Sequence, residues 1–480
     1  MNRVSAFFGF KNPSPELVGI SMKMASLLPV TSIAMSLSSS FYIIYIAEAL
    51  VGGHWLGGMA LVGTLIAVQM CIQIMLDYPT GAVGDWIGQR YIILSAFLCM
   101  GASFYVLSTV TSHSPVWVVL SVFVLAGIGE SQLSGAFQSW FDNNYRIAVP
   151  EDVDRSQYGV FWGKVNMLFS LTGTLALVPG SVMAVVVGRA WVFQLQAVLS
   201  VLIALIGFFT ITDLPAVAML RERRPSIGRY KTLLGDGVRY LVSSRFVTLI
   251  VLGTTVASSV GYVWGSLLLF PMYFSYLGNE VTVSSYRTVL FLIGVVQAER
   301  ASVLSRRLDP TKWLPRAMML MGSGFVFFVS FALIMFFLPG TQGDEMVSLT
   351  LPFTDVIVFS LPASSVAPTV LILLTFAVSG VFGTLVGILS QRLVVDAIPN
   401  RIRNSMYSLI PTISMALAIP QMVFFGWSLT SIGFPFTMAS CALVALLGAL
   451  MVRQGMTYPR PVVSEDSTRS ISISQAAPTE

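Results

Sequence analysis

The sequence predicts an all-α integral membrane protein with 12 transmembrane helices in two six-helix bundles. Of its 480 residues, 55% are hydrophobic and only 10% are charged, and the mean hydropathy is +0.81. A soluble globular chain carries roughly 25% charged residues. Backbone groups inside lipid must be hydrogen-bonded internally, and the long apolar runs lack an alternation of period two, so we expect helices and not a β-barrel.

The apolar runs divide the chain into five predicted parts. These are a cytoplasmic N-terminal segment (1–23), a first bundle (24–212), a cytoplasmic central linker (213–245), a second bundle (246–452) and a cytoplasmic polar tail (453–480). At about 20 residues per span, the predicted spans are 24–50, 58–79, 91–112, 115–141, 159–187, 190–212, 246–277, 284–305, 314–338, 367–393, 403–429 and 432–452. The stretch 339–366 is too long for an ordinary connection. It predicts an extracellular loop, either a short hairpin over the outer mouth or a plain surface loop.

The distribution of basic residues predicts the orientation of the chain. Lysine and arginine stay on the cytoplasmic side of a membrane protein. With the predicted spans, nearly all of them fall on one side of the membrane, whereas the other side has Arg189 and, near its surface, Arg287. The sequence therefore predicts a multi-pass protein of the cell membrane with both termini in the cytoplasm, and we expect a monomer.

The remaining composition excludes several classes of function. A formal charge of +5 is small for this length and does not indicate binding to nucleic acid. The three cysteines lie singly in apolar runs, and the sequence shows no close cluster of cysteine and histidine that predicts a metal site. It also has no Walker loop, dinucleotide phosphate loop or nucleophile–histidine pair. We expect neither an enzyme nor ATP-driven transport, and no cofactor.

The stretch 77–94 lies between two predicted spans and contains glycines, an acid and an arginine at a characteristic spacing. The residues concerned are Gly81, Asp85, Gly88 and Arg90. This pattern resembles the loop signature between the second and third helices of the major facilitator superfamily. Trp86 and Gln89 replace two basic residues of that signature. The preceding Pro79-Thr80-Gly81 resembles the helix end of a Pro-Thr-Gly subset of the superfamily.

The same resemblance implies a gate at the cytoplasmic end of the first bundle. Arg90 is expected to pair with Asp142, and Asp85 is expected to face the start of the eleventh helix near Arg403. Such contacts would hold the two bundles together on the inside and break when the protein opens inward. The alternative is a static clamp between loops.

Among the ionisable residues, Glu130 has the position within a predicted span that most requires a functional or structural explanation. It lies about midway along the fourth predicted span, where a charged side chain costs about 2.5–3.5 kcal/mol. At helical spacing it shares a face with Ser134 and Gln138. Two interpretations remain open, a carboxyl that binds and releases a proton during transport and a packing glutamate hydrogen-bonded to a neighbour. Phe123 replaces an arginine that the superfamily usually has in this helix, which leaves the coupling ion open.

An acidic residue and several aromatic residues are further candidates for the substrate cavity. Asp77 precedes Pro79 and is interpreted either as part of a gate or as a solvated helix end. Aromatic residues could also line the cavity, although most aromatic side chains in such chains pack or face lipid, so we expect about a third of eight to do so. The eight are Phe41, Tyr42, Tyr45, Trp162, Tyr262, Trp264, Tyr273 and Tyr407, of which Tyr45, Trp264 and Tyr273 are the selected candidates.

These patterns predict a secondary active transporter that works by alternating access. In the fifth span, Gly173 and Pro179-Gly180 partly match the signature of the superfamily's exporters, which favours export of a small organic molecule, with a proton gradient as one energy source. Import of a small nutrient or metabolite is the first alternative. A membrane sensor or scaffold that does not transport is the second. The sequence does not identify the substrate.

Overall fold

The structure is a computed structural model that describes residues 7–10, 13–152, 155–219, 235, 237–305, 307–340, 345–350, 357–397 and 403–461. Most of the predicted central linker, the tip of the predicted extracellular loop and most of the polar tail lie outside the described residues. The same holds for the segment 398–402 and for the side chain of Arg403.

Helices account for nearly all of the described chain. They are α1 (Pro15–Ser36), α2 (Tyr42–Val51), α3 (Met59–Ile87), α4 (Gln89–Ser108), α5 (Val116–Ala148), α6 (Ser156–Val186), α7 (Arg189–Thr210), α8 (Pro215–Met219), α9 (Arg245–Val263), α10 (Leu269–Leu277), α11 (Glu280–Ser305), α12 (Pro310–Leu320), α13 (Phe325–Phe337), α14 (Val366–Ala397), α15 (Arg403–Ile432) and α16 (Phe434–Gly455). A 3-10 turn (Trp55–Gly58) precedes α3, and a π-helical turn (Trp264–Leu268) joins α9 to α10.

Within the described residues, 11 helical segments are long and apolar enough to cross a membrane. A further long helix, α11, occupies the place of the eighth predicted span but is less apolar, since it contains Glu280, Arg287 and Arg300. With α11, the helical segments follow the predicted spans in order. The predicted fold class, an all-helical membrane protein, is confirmed.

The first predicted span differs from the structure. Helix α1 already begins at Pro15, where the Ser14 side chain accepts a hydrogen bond from the Leu17 amide. The helix stops at Ser36 and resumes as α2 at Tyr42. The serine-rich sequence between them explains the break, because serine side chains compete with the backbone for hydrogen bonds.

The stretch 77–94 is also more helical than a loop signature implies. Helix α3 continues through Pro79, Gly81 and Asp85 to Ile87. Only Gly88, with φ of +105°, interrupts the helix before α4 starts at Gln89. A positive φ is accessible to glycine at little cost, so this residue allows the sharp connection.

We call the end of the molecule that contains Val51 and Arg189 the outer end, and the end that contains Ile87 and Asp142 the inner end. One cluster of buried apolar residues is shared by both halves of the chain and lies on the outer side. The inner sides have separate clusters, one in each half. The shared apolar core therefore holds the two halves together mainly at the outer end.

Each half packs extensively within itself, and among the described residues two helix pairs make most of the contacts between the halves. In the first half α4 lies against α5 and α7, and in the second half α9 lies against α16. Helix α3 crosses α15, and α6 lies against α11. At the α3–α15 crossing Gly63 faces Gly426, and a Cβ atom on Gly426 would lie 2.7 Å from the carbonyl oxygen of Met59. Small residues allow this close approach of helices in a membrane.

The predicted extracellular loop contains a short hairpin, which was one of the two alternatives. Strands β1 (Met346–Thr350) and β2 (Ile357–Pro362) pair antiparallel, with Ser348 opposite Ser360. The backbone of Ser360 both donates to and accepts from the Thr282 hydroxyl, at 2.9 and 3.1 Å. These bonds attach the hairpin to the outer end of α11.

Candidate functional site

A cavity of about 840 Å³ lies between the two halves. The first half contributes most of its lining, through α1 to α6, and the second half contributes residues of the α9–α10 segment and of α15. The lining reaches from Ile43 and Phe123, toward the outer side, to Gln138 and Trp162 near the inner end. The cavity thus occupies the middle of the molecule and extends inward.

Glu130 borders this cavity. Its side chain is hydrogen-bonded to Gln69 of α3, and Tyr42 of α2 is close enough to interact with it electrostatically. Ser134 and Gln138, one and two turns further along α5, line the same cavity. Among the described lining residues, Glu130 is the only Asp, Glu, Lys, Arg or His. The arrangement supplies one carboxyl group, held by a neutral amide, in a largely apolar and aromatic chamber.

Asp77 lies beside this face of α5. The Ser134 hydroxyl donates a hydrogen bond to Asp77 Oδ1, which joins α3 to α5 below Glu130. The Thr80 hydroxyl donates to the Leu76 carbonyl oxygen at 2.8 Å and to the Ser131 carbonyl oxygen at 3.3 Å. Asp77 is thus hydrogen-bonded to α5 at a partly exposed position, and it lies within α3 and not at the end of a helix.

The three selected aromatic candidates, Tyr45, Trp264 and Tyr273, do not line the cavity in this conformation. Tyr45 lies in a separate outer cleft, where its hydroxyl donates to the Val110 carbonyl oxygen at 2.7 Å. Trp264 and Tyr273 are buried, and both pack against Phe376 in an aromatic cluster of the second half. Three of the other aromatic candidates, Tyr42, Trp162 and Tyr262, do line the cavity, together with Phe270.

The expected ion pair between Arg90 and Asp142 is also absent from this conformation. Asp142 pairs with Arg146, one turn further along α5, at 2.9 Å and with Arg155 before α6 at 2.6 Å. Arg90 donates to the Tyr91 hydroxyl at 2.8 Å, and its guanidinium lies over the ring of Phe208. The two closer arginines take the place that the resemblance assigned to Arg90.

The second part of the predicted gate is described only in part. Gln89 donates to Asp85 Oδ1 at 3.1 Å and to the Ser139 hydroxyl at 3.4 Å, so Asp85 is linked through Gln89 to α5. Arg403 begins α15, but its side chain lies outside the described residues. A contact between Asp85 and the start of α15 stays a prediction.

Three charged residues that the sequence analysis did not select meet at the outer end. Arg189 donates from Nη1 to Glu48 Oε2 and from Nε to Glu280 Oε1, each at 2.6 Å. Glu48 and Arg189 belong to the first half and Glu280 to the second. We call this group the outer triad. The one available signal was the position of Arg189 on an otherwise base-poor side of the membrane.

Hydroxyl groups cross the same outer interface between the halves. The Ser181 hydroxyl is hydrogen-bonded to that of Ser40 at 2.8 Å and to that of Ser284 at 2.6 Å, and all three side chains are buried. The Ala60 amide donates to the Thr430 hydroxyl at 3.2 Å. Together with the outer triad and the shared apolar core, these bonds close the outer side of the molecule.

A helical membrane protein with a cavity between two halves, closed at one end by an ion triad, has the features of a transporter. The sequence comparison gives the family: residues 30–366 match the Major Facilitator Superfamily. The chain belongs to that superfamily and is a secondary transporter, not an enzyme.

Solved structures with the same fold agree with this assignment. An auto inhibited POT family peptide transporter superposes with a TM-score of 0.67 at 12% identity, over 92% of this chain and 98% of that one. The nucleoside transporter NupG gives 0.61 at 12% identity, over 92% and 100%. A D-xylose-proton symporter gives 0.60 at 12% identity, over 93% and 98%. No curated protein sequence matches the chain.

Proposed function

We propose that the chain exports a small organic molecule in exchange for protons. The observation that supports this proposal is the location of Glu130 on the central cavity, next to Gln69 and Tyr42. In a transporter whose cavity opens in turn to the two sides of the membrane, a carboxyl group on the cavity wall can exchange protons with whichever side is open. A scaffold would have no need for a chamber of about 840 Å³ with an acid on its wall.

Alternating access requires that the outer closure breaks when the inner side closes. In this conformation the outer triad and the Gly63–Gly426 crossing hold the outer ends of the halves together. To release a substrate outward, Arg189 has to separate from Glu280 and α3 has to move away from α15. The predicted inner contact of Asp85 with α15 would then form the opposite closure.

The finer assignments are part of the same proposal. Membership in the Pro-Thr-Gly subset is supported by the position of Thr80, whose hydroxyl reaches the Ser131 carbonyl oxygen on α5. The distribution of lysine and arginine supports a cell-membrane protein with both termini in the cytoplasm. We propose a monomer that works as one transport unit.

Transport in membrane vesicles of both orientations tests the direction and the coupling ion. Radiolabelled small organic molecules are offered to right-side-out and inverted vesicles with and without a pH gradient. Export in exchange for protons predicts uptake into inverted vesicles whose interior is acidic. The variant Glu130→Gln should lose the gradient-driven part of this uptake, whereas Glu16→Gln, at the exposed start of α1, should keep it.

The same measurement separates the alternatives. Uptake confined to right-side-out vesicles would support import of a nutrient or metabolite and overturn export. Gradient-driven uptake that is unchanged in Glu130→Gln would remove Glu130 from proton coupling. Uptake of no compound in either orientation would favour a sensor or scaffold.

A further inference from the structure

We infer that the cavity selects organic cations with a large apolar body, in preference to anions. The inference rests on the proposed transport function and specifies the substrate class of the same cavity. It follows from three properties of the lining: its charge, its aromatic residues and its adaptable apolar surface.

The charge of the lining decides between cations and anions. Glu130 is the single acid among the described lining residues, and no Lys, Arg or His accompanies it there. An anion in this chamber would lose its hydration without meeting an opposite charge, which is strongly unfavourable. A cation would instead pair with the carboxylate. Removal of one partner from such a desolvated pair typically weakens binding about thirtyfold or more.

Aromatic rings favour the same charge. Tyr42, Trp162, Tyr262 and Phe270 all border the cavity. The face of an aromatic ring attracts a positive group within about 6 Å of its centre, most strongly where water is excluded. Tyr42 is also close to Glu130, so a carboxylate and an aromatic residue flank one part of the chamber.

The remaining lining suits a bulky apolar body. Four methionines lie in it, Met35, Met70, Met100 and Met415. Methionine is unbranched and polarisable, so it adapts to different apolar shapes. Ligand cavities of about 300–1,000 Å³ hold drug-sized molecules, and this one measures about 840 Å³.

One carboxyl group cannot hold a proton and a cation at the same time. When the cation binds, the O–H bond of the protonated Glu130 breaks, the proton leaves to water, and the carboxylate pairs with the positive group. The other titratable groups of the lining are the phenols of Tyr42 and Tyr262, which stay neutral at physiological pH. Competition for Glu130 therefore couples exit of the cation to entry of a proton.

Binding of two ions of the same shape and opposite charge tests the inference. Tetraphenylphosphonium and tetraphenylborate are titrated separately into the purified full chain in lipid nanodiscs, and binding is measured with radiolabelled ligand above an empty-nanodisc background. We expect specific binding of tetraphenylphosphonium only, with release of about one proton per ion near neutral pH.

Variants of Glu130 test the role of its charge. Glu130→Gln should weaken the binding of tetraphenylphosphonium about thirtyfold or more, the ratio that corresponds to the loss of one partner of a desolvated pair. Glu130→Asp should restore part of the affinity, and Glu16→Gln should leave it unchanged.

Three results would overturn the inference: equal or stronger binding of tetraphenylborate, no specific binding of either ion, and binding of tetraphenylphosphonium that is unaffected in Glu130→Gln. Vesicle transport is measured separately and tests the proposed function. Gradient-driven export of an uncharged compound alone would reject the cation class and keep the transporter. Specific cation binding without transport by either vesicle type would keep the cation site and reject export.

Discussion

Arg189 donates from Nε to Glu280 Oε1 at 2.6 Å, and this ion pair joins the first half of the molecule to the second at the outer end. The same guanidinium also holds Glu48, so one cation lies between two carboxylates. The side chains of Arg189 and Glu280 are only 24% and 12% exposed. Ion pairs with this degree of burial are screened less by salt than surface pairs, so the outer triad can contribute to the choice between conformations.

Substitution of Arg189 should weaken the outer closure. Arg189→Gln removes the shared cation and leaves Glu48 and Glu280 as neighbouring carboxylates that repel each other. We expect the ratio of outer-closed to outer-open molecules to fall about tenfold, which corresponds to about 1.4 kcal/mol. Spin labels on the exposed residues Gly53 and Met346 would report the distance between the halves by double electron–electron resonance.

Two matched variants show whether charge is responsible. Arg189→Lys keeps a cation and should retain most of the closed population. The exchanged pair Arg189→Glu with Glu280→Arg keeps opposite charges across the interface and should recover part of it. A distance distribution in Arg189→Gln that equals that of the wild type would exclude the outer triad from the gate.

The crossing of α3 and α15 gives a second prediction. Gly426→Ala places a Cβ atom 2.7 Å from the Met59 carbonyl oxygen, so the two helices have to separate. Overpacking of this kind typically costs about 1–3 kcal/mol. We expect a lower thermal unfolding midpoint and fewer outer-closed molecules by the same spin-label measurement. Gly383→Ala is the control, because its Cβ meets open space and alanine favours the helix.

Local patterns in the sequence were sufficient to predict the order of the helices and the residues that share the Glu130 face of α5. Apolar runs of membrane-spanning length predicted the order of the spans, and a spacing of four residues placed Ser134 on the same face as Glu130. Both depend on residues close together in the sequence. The predicted helix boundaries were wrong where polar side chains interrupt a helix, as at Ser36, where the first predicted span is broken.

The contacts between distant residues could not be predicted in the same way. Glu48 and Arg189 are 141 positions apart, and no local pattern relates them or connects either to Glu280. The partner expected for Asp142 was wrong because Arg146 and Arg155 are closer in the packed structure. Which charges pair at a helix end depends on how the helices pack, and this information is not contained in a short motif.

Asn144 is a buried polar residue whose loss should destabilise the inner side of the first half. Its amide donates to Asp213 Oδ1 at 3.2 Å and its carbonyl oxygen accepts from the Leu214 amide at 2.7 Å, so it attaches the chain after α7 to α5. Asn144→Leu is similar in size but removes both bonds, together with a third bond from the amide to the Trp140 carbonyl oxygen at 2.7 Å. An unsatisfied buried group costs about 1–3 kcal/mol, and we expect a correspondingly lower unfolding midpoint in detergent.

A smaller substitution tests the cause. Asn144→Asp keeps an acceptor for the Leu214 amide but brings a second carboxylate next to Asp213, so it should also be less stable than the wild type. Asn143→Leu changes the neighbouring, exposed position and should have little effect. Equal midpoints for Asn144→Leu and Asn143→Leu would show that these hydrogen bonds contribute nothing measurable.

Asp309 caps the N-terminus of α12 and gives a prediction that depends on pH. Its carboxylate accepts from the Thr311 hydroxyl at 2.6 Å and from the Thr311 amide at 3.0 Å, and these bonds hold the pKa of Asp309 below its ordinary value of 3.8. Because the folded pKa is lowered, this contribution to stability is fully present above the unfolded pKa and is lost as the pH falls through the folded pKa. Asp309→Ala should therefore lower the unfolding midpoint slightly at pH 7, and the difference from the wild type should shrink below pH 3.8.

Asp309→Asn keeps an uncharged acceptor for the Thr311 amide, so its midpoint should lie between those of the wild type and Asp309→Ala at pH 7. A difference between Asp309→Ala and the wild type that stays constant down to the lowest pH would mean that ionisation of Asp309 does not stabilise the start of α12.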